Sequence, residues 1–480
     1  MAYAVKYQHE LYGSSLKPGD VLVSNHPIAG GTHLPDITVI TPVFDTTTNQ
    51  LIFYTASRGH HRDIGGFQGI SGNANATELY QEGASIISFK LVSHGQFDEE
   101  GIRKILVDEP AQYPNCVGTA SLHDDLSDLR AQVAANAKGS ALIQGLFEEY
   151  GREVVQVTPK FYMDRIQENA EIAVRKFLKQ TSEKLGGRAL SAADSLDNGT
   201  RIRLEIRINP DGSATFDFTG TGSEVMGNNN APKSICLSAI IYCLRCLINE
   251  DIPLNQGCLS SIEVINPEGS ILNPSDQAAV YAGNTQTSQR VVDVILKAFE
   301  ACAASQGCMN SVGFFGGRDR EPGSGYKFAY GETICGGSGA GPGWDGSSAV
   351  HCHMTNTRIS DVEIMEKRYP IVLRDFSLRR GSGGRGAYRG GDGVVRVIEC
   401  REPLTFSMIS ERRVSQPYGM HGGHDGASGE NLIVRRAEGG KRRVVSLGPR
   451  GLVRLESGEQ FIIRTPGGGG WGAPVENAAS

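Results

Sequence analysis

The stretch GDVLVSNHPIAGGTHLPD, from Gly19 to Asp36, joins an apolar segment to two prolines, a Gly-Gly pair and several polar side chains. A second apolar segment, Ile37–Ile40, follows it directly. Pro27 and Pro35 exclude a continuous helix, because proline lacks a backbone N–H and restricts the residue before it. The sequence therefore predicts a loop of fixed shape between two strands. Loops of this kind often carry binding and catalytic side chains.

A second polar segment, Ser57–Gly66, follows the apolar run Leu51–Tyr54. Two strands that each end in a loop with His and Asp residues predict one shared site. Two neutral imidazoles and one carboxylate suit a divalent first-row ion and leave positions for water or substrate. The candidate ligands are His33, Asp36 and His60, with His123 as a candidate fourth. His61, Asp63 and Asp128 are candidates to orient them. The alternative is that these side chains only cap their loops through local backbone hydrogen bonds.

Length, charge and hydropathy argue against several classes of protein. The chain has 480 residues and a net charge of −6, with Lys and Arg spread along it. This distribution does not favour a nucleic-acid partner. The most apolar run, Ile235–Ile248, contains Arg245 and is shorter than a membrane span, so a membrane partner is not expected. No apolar leader is visible and the ten cysteines are scattered, so a reduced, cytoplasmic setting is expected.

Nucleotide-binding motifs and a serine nucleophile are not found. Gly381–Gly386 matches G-x-G-x-x-G, but the residues after it do not predict the helix that a dinucleotide-binding turn requires. The chain contains neither a G-x-x-x-x-G-K-[ST] P-loop nor a G-x-S-x-G nucleophile elbow. It therefore carries no ATP-binding motif of its own.

Apolar patterning predicts an α+β fold with several mixed sheets, packed helices and a β-rich, glycine-rich C-terminal domain. The first ~110 residues are expected to form strands and loops. The clearest hairpin has alternating apolar residues at 202–208 and 214–218, on either side of the turn Asn209–Gly212.

Helical spacing and composition changes divide the chain further. Helices are predicted at 127–150, 161–180, 236–249 and 288–304. Three domains are predicted, at 1–185 with the candidate metal site, at 199–368, and at 369–480.

Several motifs, matched in order, carry a resemblance to a known family. The first group is Gly19–Asp36, Arg58–Gly66, Ser127–Gln132 and Thr465–Gly470. These motifs resemble the hydantoinase B family, which includes B subunits of ATP-dependent hydantoinases, the C-terminal half of 5-oxoprolinase and large subunits of acetone-type carboxylases. The second group is Leu122–Gln132, Ile252–Cys258, Ser305–Asn310 and His353–Arg358. These are similar to eukaryotic-type 5-oxoprolinases, and the resemblance covers nearly the whole chain.

The resemblance implies a reaction and assigns residues to it. It implies ATP-driven opening of the lactam ring of 5-oxo-L-proline to give L-glutamate. In the family, an A-type half binds ATP and activates the amide oxygen by phosphorylation, while the B-type half completes ring opening at a metal. The implied metal ligands are His33, Asp36, His60 and, less directly, His123. The implied catalytic residues, acting as a base or in an orienting role, are Asp63, Glu82 and Asp128.

The resemblance also implies cofactors and partners. The cofactors are a divalent metal ion, with Mn, Zn and Fe left open, and ATP bound through a partner half. The expected partners are an A-type (hydantoinase A-like) subunit or domain, a small cyclic amide and further copies of this chain. Because the chain enters the family pattern late, a missing upstream segment and the A-type half are expected to be needed for activity. The alternatives are a subunit of an ATP-dependent hydantoinase or acetone-type carboxylase, and an inactive truncated paralogue that acts only as a binding partner.

Overall fold

The computed structural model describes residues 1–70, 72–150, 152–316 and 328–474. Within these ranges the protein has the predicted α+β architecture, with several sheets and packed helices. The helices are α1 (Ala2–Tyr12), α2 (Glu99–Arg103), α3 (Leu122–Tyr150), α4 (Arg152–Lys184), α5 (Lys233–Leu247), α6 (Ser288–Ala298) and α7 (Val362–Arg368).

The strands come from all parts of the chain. In the first half they are β1 (Val21–Ser24), β2 (Asp36–Phe44), β3 (Leu51–His60), β4 (Gly66–Phe67), β5 (Phe89–Ser93), β6 (Gln96–Phe97), β7 (Cys116–Val117), β8 (Leu190–Ser195), β9 (Arg201–Ile208) and β10 (Ala214–Asp217). In the second half they are β11 (Ile262–Ile265), β12 (Ser311–Gly316), β13 (Phe328–Glu332), β14 (Ile371–Arg379), β15 (Gly393–Cys400), β16 (Leu404–Ile409), β17 (Glu430–Arg436), β18 (Arg442–Ser446), β19 (Arg450–Leu455) and β20 (Gln460–Arg464).

The N-terminal sheet is antiparallel and has the strand order β3-β2-β1-β5-β6. Helix α3 packs across one of its faces. There, Gln132 donates through Nε2 to the Ile37 carbonyl at 3.0 Å, and Asn136 donates through Nδ2 to the Val39 carbonyl at 3.0 Å. Because successive side chains of a strand point to opposite faces, every second residue of β2 and β3 points away from α3. That second face carries the candidate site.

The central sheet has the order β11-β10-β9-β8 and packs against α4, α5 and α6 in one apolar core. The predicted hairpin is confirmed, since β9 and β10 pair antiparallel with Ile206 opposite Phe216. Strand β11 then adds to β10 in parallel. This core supports α6 and the turn Gly283–Thr287, which leads into α6 and reaches the candidate site.

Two further sheets form the C-terminal part, with the orders β13-β12-β16-β19 and β14-β15-β20-β17-β18. They share an apolar core in which the Phe406 and Phe461 rings stack with centroids 5.0 Å apart. From residue 369 to residue 474 the described chain consists of strands, loops and one short 3-10 turn. This agrees with the predicted β-rich C-terminal part. Strands β12 and β13 precede residue 369 yet belong to the same sheet as β16, in which β13 pairs with β12 and β12 pairs with β16. The three-domain division stays a prediction.

Glycine loops join these sheets through close backbone contacts. An added Cβ at Gly468 would lie 1.8 Å from the Ser338 carbonyl oxygen, and one at Gly391 would lie 1.9 Å from the Ser347 carbonyl oxygen. Such distances exclude any side chain without a backbone shift. The glycine clusters therefore belong to an ordered packing of loops.

Several predicted boundaries are wrong. The N-terminal region was expected to contain strands and loops, yet it also contains α1 and α2. Helix α1 forms because Ala4 packs into a small apolar cluster with Leu16, Leu22 and Ile40. Helix α6 ends at Ala298, six residues before the predicted end at residue 304. The left-handed backbone of Glu300, with φ of 52°, is incompatible with helix continuation.

The two long helices also differ from the prediction. Helix α3 begins at Leu122, not at residue 127, because the Ser121 carbonyl already accepts the backbone N–H groups of Asp124 and Asp125. Helix α4 extends beyond the predicted 161–180 at both ends. Among the described residues no helix combines the length and apolar composition needed to cross a membrane.

Candidate metal centre

Three predicted ligands meet at the end of strands β2 and β3. One ligand atom from each of His33, Asp36 and His60 lies within 4.8 Å of the other two, and this is the one such group of three or more among the described residues. His33 Nδ1 is 3.1 Å from Asp36 Oδ2. The His33 and His60 ring centroids are 5.1 Å apart. This donor set fits a divalent first-row ion.

The register of the sheet explains the convergence. Asp36 is the first residue of β2 and lies opposite His60, the last residue of β3. The predicted loop at 57–60 is wrong, because these residues continue β3. His33 lies in the turn before β2, where an added Cβ at Gly31 would be 1.8 Å from the Asn25 carbonyl oxygen. Only glycine permits this close approach, which positions His33 beside Asp36.

The electrostatics favour the metal-binding protonation states. Burial alone would raise the pKa of Asp36, but the His33 and His60 imidazoles and the Thr32 hydroxyl hold it well below its usual range. Burial lowers the pKa of His60 to about 4, and the His33 imidazole adds to that shift. At neutral pH, Asp36 is therefore ionised and His60 is neutral, which are the forms that bind a cation.

The cluster opens into a cavity of about 750 Å³ between the N-terminal sheet and strands β12 and β13. This volume is within the range of small-molecule sites. The cavity is lined by His33, Asp36 and His60 from the N-terminal region. It is also lined by Tyr330 and Glu332 of β13, which come from a distant part of the chain. A small organic substrate therefore has direct access to the candidate ligands.

Asp63 lines the same cavity, close to the cluster in sequence. Its Oδ1 accepts the Gly65 backbone N–H at 2.8 Å, and its Oδ2 accepts that of Ala120 at 2.9 Å. Burial raises the pKa of Asp63, although these two hydrogen bonds oppose the rise. A cavity-lining carboxyl group with a raised pKa can exchange protons with a substrate.

His61 points away from the cavity because it follows His60 directly. Its Nε2 is 3.1 Å from Gln132 Oε1, and its Nδ1 is 3.4 Å from Asp125 Oδ1. The pKa of His61 is raised: burial opposes the rise, and the Asp125 and Gln132 contacts outweigh it. Asp125 was not among the residues predicted for the site. This contact ties α3 to β3 behind the candidate ligands.

The structure does not bring two other predicted residues to the cluster. His123 lies in the first turn of α3 with its side chain 98% exposed, and its Nδ1 is 3.5 Å from Asp124 Oδ1. It is not part of the ligand group of His33, Asp36 and His60. Asp128 is exposed on the same helix, and its charge contributes to the raised pKa of His61.

Glu82 is fully buried and does not line the cavity. Its Oε2 and Oε1 accept the backbone N–H groups of Val280 at 3.0 Å and Tyr281 at 2.8 Å. The Tyr281 ring lies 5.3 Å from His33, and Asn284 Nδ2 is 3.2 Å from His33 Nδ1. Glu82 therefore holds the segment that contacts His33. No spacing pattern could have identified Tyr281 or Asn284, because both come from a distant part of the chain.

Replacing Glu82 with glutamine is expected to give a pH-dependent loss of stability. Burial raises the pKa of Glu82 from 4.5 to about 8. Between these values the folded state keeps a proton that the unfolded state has released, so the free energy of unfolding of the wild type falls as pH rises. Glutamine does not titrate. Its side-chain NH₂ group would replace one of the two oxygens that accept backbone N–H groups, so two donors would face each other. We expect a cost of about 1–3 kcal/mol at pH 5 that narrows toward pH 8.

Urea denaturation at several pH values measures this difference. Glu168→Gln is the control, since Glu168 is about half exposed and pairs with Arg165 on the surface. A gap between wild type and Glu82→Gln that stays constant from pH 5 to pH 8 would contradict the assignment.

Fold and site together define an α+β protein with a candidate His/Asp metal centre in a cavity of ligand size. Residues 1–474 match the family model described as Hydantoinase B/oxoprolinase. The chain belongs to this family, and the resemblance predicted from its motifs is confirmed.

Similar proteins include polypeptides that are longer than this chain. The 5-oxoprolinase 1 of Arabidopsis thaliana is 49% identical over 493 residues, covering 99% of this chain and 37% of that protein. The chain spans 36–37% of the length of three curated relatives that are 49–51% identical to it.

Two solved structures share the fold. An ATP-dependent caprolactamase from Pseudomonas jessenii superposes with a TM-score of 0.83 at 22% identity, over 98% of this chain and 81% of that chain. A nucleotide-free acetone carboxylase superposes with a TM-score of 0.80 at 17% identity, over 99% of this chain and 68% of that chain.

Proposed function

We propose that the chain is the B-type component of an ATP-dependent 5-oxoprolinase, which opens the lactam ring of 5-oxo-L-proline to give L-glutamate. The observation that carries the proposal is the cluster of His33, Asp36 and His60 at the wall of a small-molecule cavity. The 49% identity to a plant 5-oxoprolinase supports this substrate over other cyclic amides.

The reaction needs activation because a lactam carbonyl is a poor electrophile. Transfer of the γ-phosphoryl group of ATP to the lactam carbonyl oxygen makes the amide carbon reactive. One water adds to this carbon, and the C–N bond breaks as the ring nitrogen takes a proton. The resulting acyl phosphate reacts with a second water to release phosphate and glutamate. ATP, two waters and 5-oxoproline thus give ADP, phosphate and glutamate.

The residues of the chain have separate roles in this proposal. His33, Asp36 and His60 would hold a divalent ion, and such an ion polarises a carbonyl and lowers the pKa of a bound water. Asp63 lines the cavity and is the proposed proton carrier for the ring nitrogen. Glu82 is a positioning residue, because it contacts the backbone beside His33 and not the cavity.

A separate A-type part is proposed to supply the phosphoryl group. The chain has no P-loop in its sequence, and it corresponds to little more than a third of the Arabidopsis 5-oxoprolinase. The proposed partner is therefore an A-type subunit or domain that binds ATP and presents the activated lactam to this cavity.

Reconstitution with an A-type half tests the proposal. The purified chain, the A-type half of a 5-oxoprolinase and their mixture are supplied with ATP and a divalent metal ion, and glutamate and ADP are measured. We expect stoichiometric glutamate and ADP from 5-oxo-L-proline in the mixture, and no glutamate from either part alone. Turnover of a hydantoin or of acetone with bicarbonate, but not of 5-oxo-L-proline, would replace the proposal with a hydantoinase or carboxylase function. No turnover of any of the three substrates would favour an inactive binding partner.

A further inference from the structure

Arg58 of β3 is a half-buried cation in the cavity without a carboxylate partner. Its Nε donates to Thr38 Oγ1 at 2.7 Å, and its Nη2 donates to the Gly30 carbonyl at 3.0 Å. Both acceptors are uncharged. No ion pair of Arg58 within 4.0 Å is found among the described residues, and the acidic charge that acts on it at longer range is that of Asp36, a candidate metal ligand. Since a cation removed from water is stabilised by an opposite charge, this site favours an anion from the ligand.

Arg58 stands next to the candidate metal ligands on the same face of the sheet. Asp36 pairs with His60, and Thr38 pairs with Arg58, across β2 and β3. Side chains two residues apart on one strand share a face at a spacing of about 7 Å. The opposite face is closed by α3, because an added Cβ at Gly59 would lie 3.4 Å from the Gln132 side chain. Arg58 and His60 therefore face the cavity together.

Other charged groups also line the cavity, namely Asp63, Arg62 and Glu332. Glu332 Oε1 is 2.9 Å from Nη2 of the buried Arg396. Arg62, the second arginine at the cavity, donates through Nε to the Ala329 carbonyl at 2.8 Å, away from the sheet that carries the ligands. The cation best placed beside the cluster is thus Arg58.

We propose that Arg58 binds the carboxylate of a lactam carboxylic acid whose ring carbonyl faces His33, Asp36 and His60. The proposal rests on the proposed function, because it assigns the ring-opening cavity a substrate with an acid group next to the ring nitrogen. In 5-oxo-L-proline only that nitrogen and one carbon separate the carboxylate from the reacting carbonyl. A cation adjacent to the cluster can therefore reach the carboxylate, and a guanidinium matches carboxylate geometry.

The proposal makes Arg58 a specificity-determining residue. A neutral lactam of the same ring, 2-pyrrolidinone, would enter the cavity but leave Arg58 without an anion. The chain should therefore prefer 5-oxo-L-proline to 2-pyrrolidinone even in the absence of ATP and of the A-type half.

Binding to the full chain in the presence of Mn²⁺ tests this directly. Calorimetric or NMR titrations compare 5-oxo-L-proline, 2-pyrrolidinone and inorganic phosphate with the wild type, Arg58→Met and Arg58→Lys. The matched control is Arg62→Met, which removes the other cavity arginine. We expect Arg58→Met to weaken 5-oxo-L-proline binding on the order of thirtyfold, with partial recovery in Arg58→Lys. Binding of 2-pyrrolidinone should stay unchanged in every variant.

The outcomes separate this proposal from the proposed function. Equal weakening by Arg62→Met and Arg58→Met, or no preference of the wild type for 5-oxo-L-proline over 2-pyrrolidinone, would overturn the carboxylate site. Loss of phosphate binding alone in Arg58→Met would assign the site to a phosphoryl group and also overturn it. If the preference and its loss are observed while the reconstituted pair makes no glutamate, the carboxylate site stands and the proposed reaction fails.

Discussion

Asp36→Ala is expected to abolish metal binding and to reduce glutamate formation by the reconstituted pair on the order of a thousandfold, which is about 4 kcal/mol of transition-state stabilisation. Asp36 is the one carboxylate of the cluster, and its Oδ2 lies 3.1 Å from His33 Nδ1. Its removal leaves two imidazoles without an anionic ligand. The affinity for the metal should fall by more than the ~10–100-fold typical of losing an outer partner of a ligand.

Two further variants separate the chemistry from folding. Asp36→Asn keeps an oxygen that can accept the Thr32 hydroxyl, which is 2.8 Å away in the wild type, but it removes the charge. It should lose metal and activity while unfolding at the same urea concentration as the wild type. Asp124→Ala, at an exposed position beside His123, is the control and should change neither the metal content nor the activity. Wild-type metal content in Asp36→Asn would contradict the proposed ligand role.

Asp293→Ala is expected to destabilise the fold by about 3–5 kcal/mol, because it breaks a buried ion pair. Asp293 lies on α6 and is buried; its Oδ2 is 3.2 Å from Arg412 Nη2, and its Oδ1 accepts the Ser305 backbone N–H at 3.0 Å. His353 Nε2 lies 3.5 Å from the same Oδ1. Removal of the carboxylate leaves the buried Arg412 with Asp194 as its remaining close acidic partner, at 2.7 Å.

Urea denaturation followed by circular dichroism measures this effect. The control is Asp108→Ala, which removes an exposed partner of Arg103 at 2.8 Å. Exposed pairs contribute little to stability, so this variant should unfold like the wild type. Equal denaturation midpoints for Asp293→Ala and Asp108→Ala would show that the buried network does not hold α6 to the loop after β16.

The sequence predicted the three-residue cluster because its members lie at the ends of two adjacent strands. Asp36 and His60 needed only the pairing of β2 with β3 to meet, and short-range patterns indicate such pairing well. His33 precedes Asp36 by three residues, in the turn that leads into β2. Arg58 was visible in the same polar segment, but whether it forms a close ion pair depends on the side chains around it. That property requires coordinates.

His123 shows the limit of arguments from sequence proximity. Two acids, Asp124 and Asp125, follow it directly in the sequence, and that pattern suggested a ligand. The helix begins earlier than predicted and turns His123 toward solvent, while Asp125, two residues later, points inward to His61. A helix rotates by about 100° per residue, so an error in its start changes which side chains face the site.

Contacts from distant segments could not be predicted either. Tyr281 and Asn284 reach His33 only because the central sheet and α6 place the turn Gly283–Thr287 against the N-terminal sheet. Glu82 supports them by accepting backbone N–H groups across the same interface. Such positions follow from the packing of separate sheets, for which local patterns carry no signal.

The central claim is that one ion is held by His33, Asp36 and His60. X-ray absorption spectroscopy of the purified chain loaded with Mn²⁺ or Zn²⁺, beside His60→Ala and His123→Ala, tests it most directly. We predict one tightly bound ion per chain with two imidazole ligands and the rest oxygen, loss of one imidazole and of tight binding in His60→Ala, and no change in His123→Ala. A spectrum without histidine ligands, or an equal metal content in His60→Ala and the wild type, would contradict the claim.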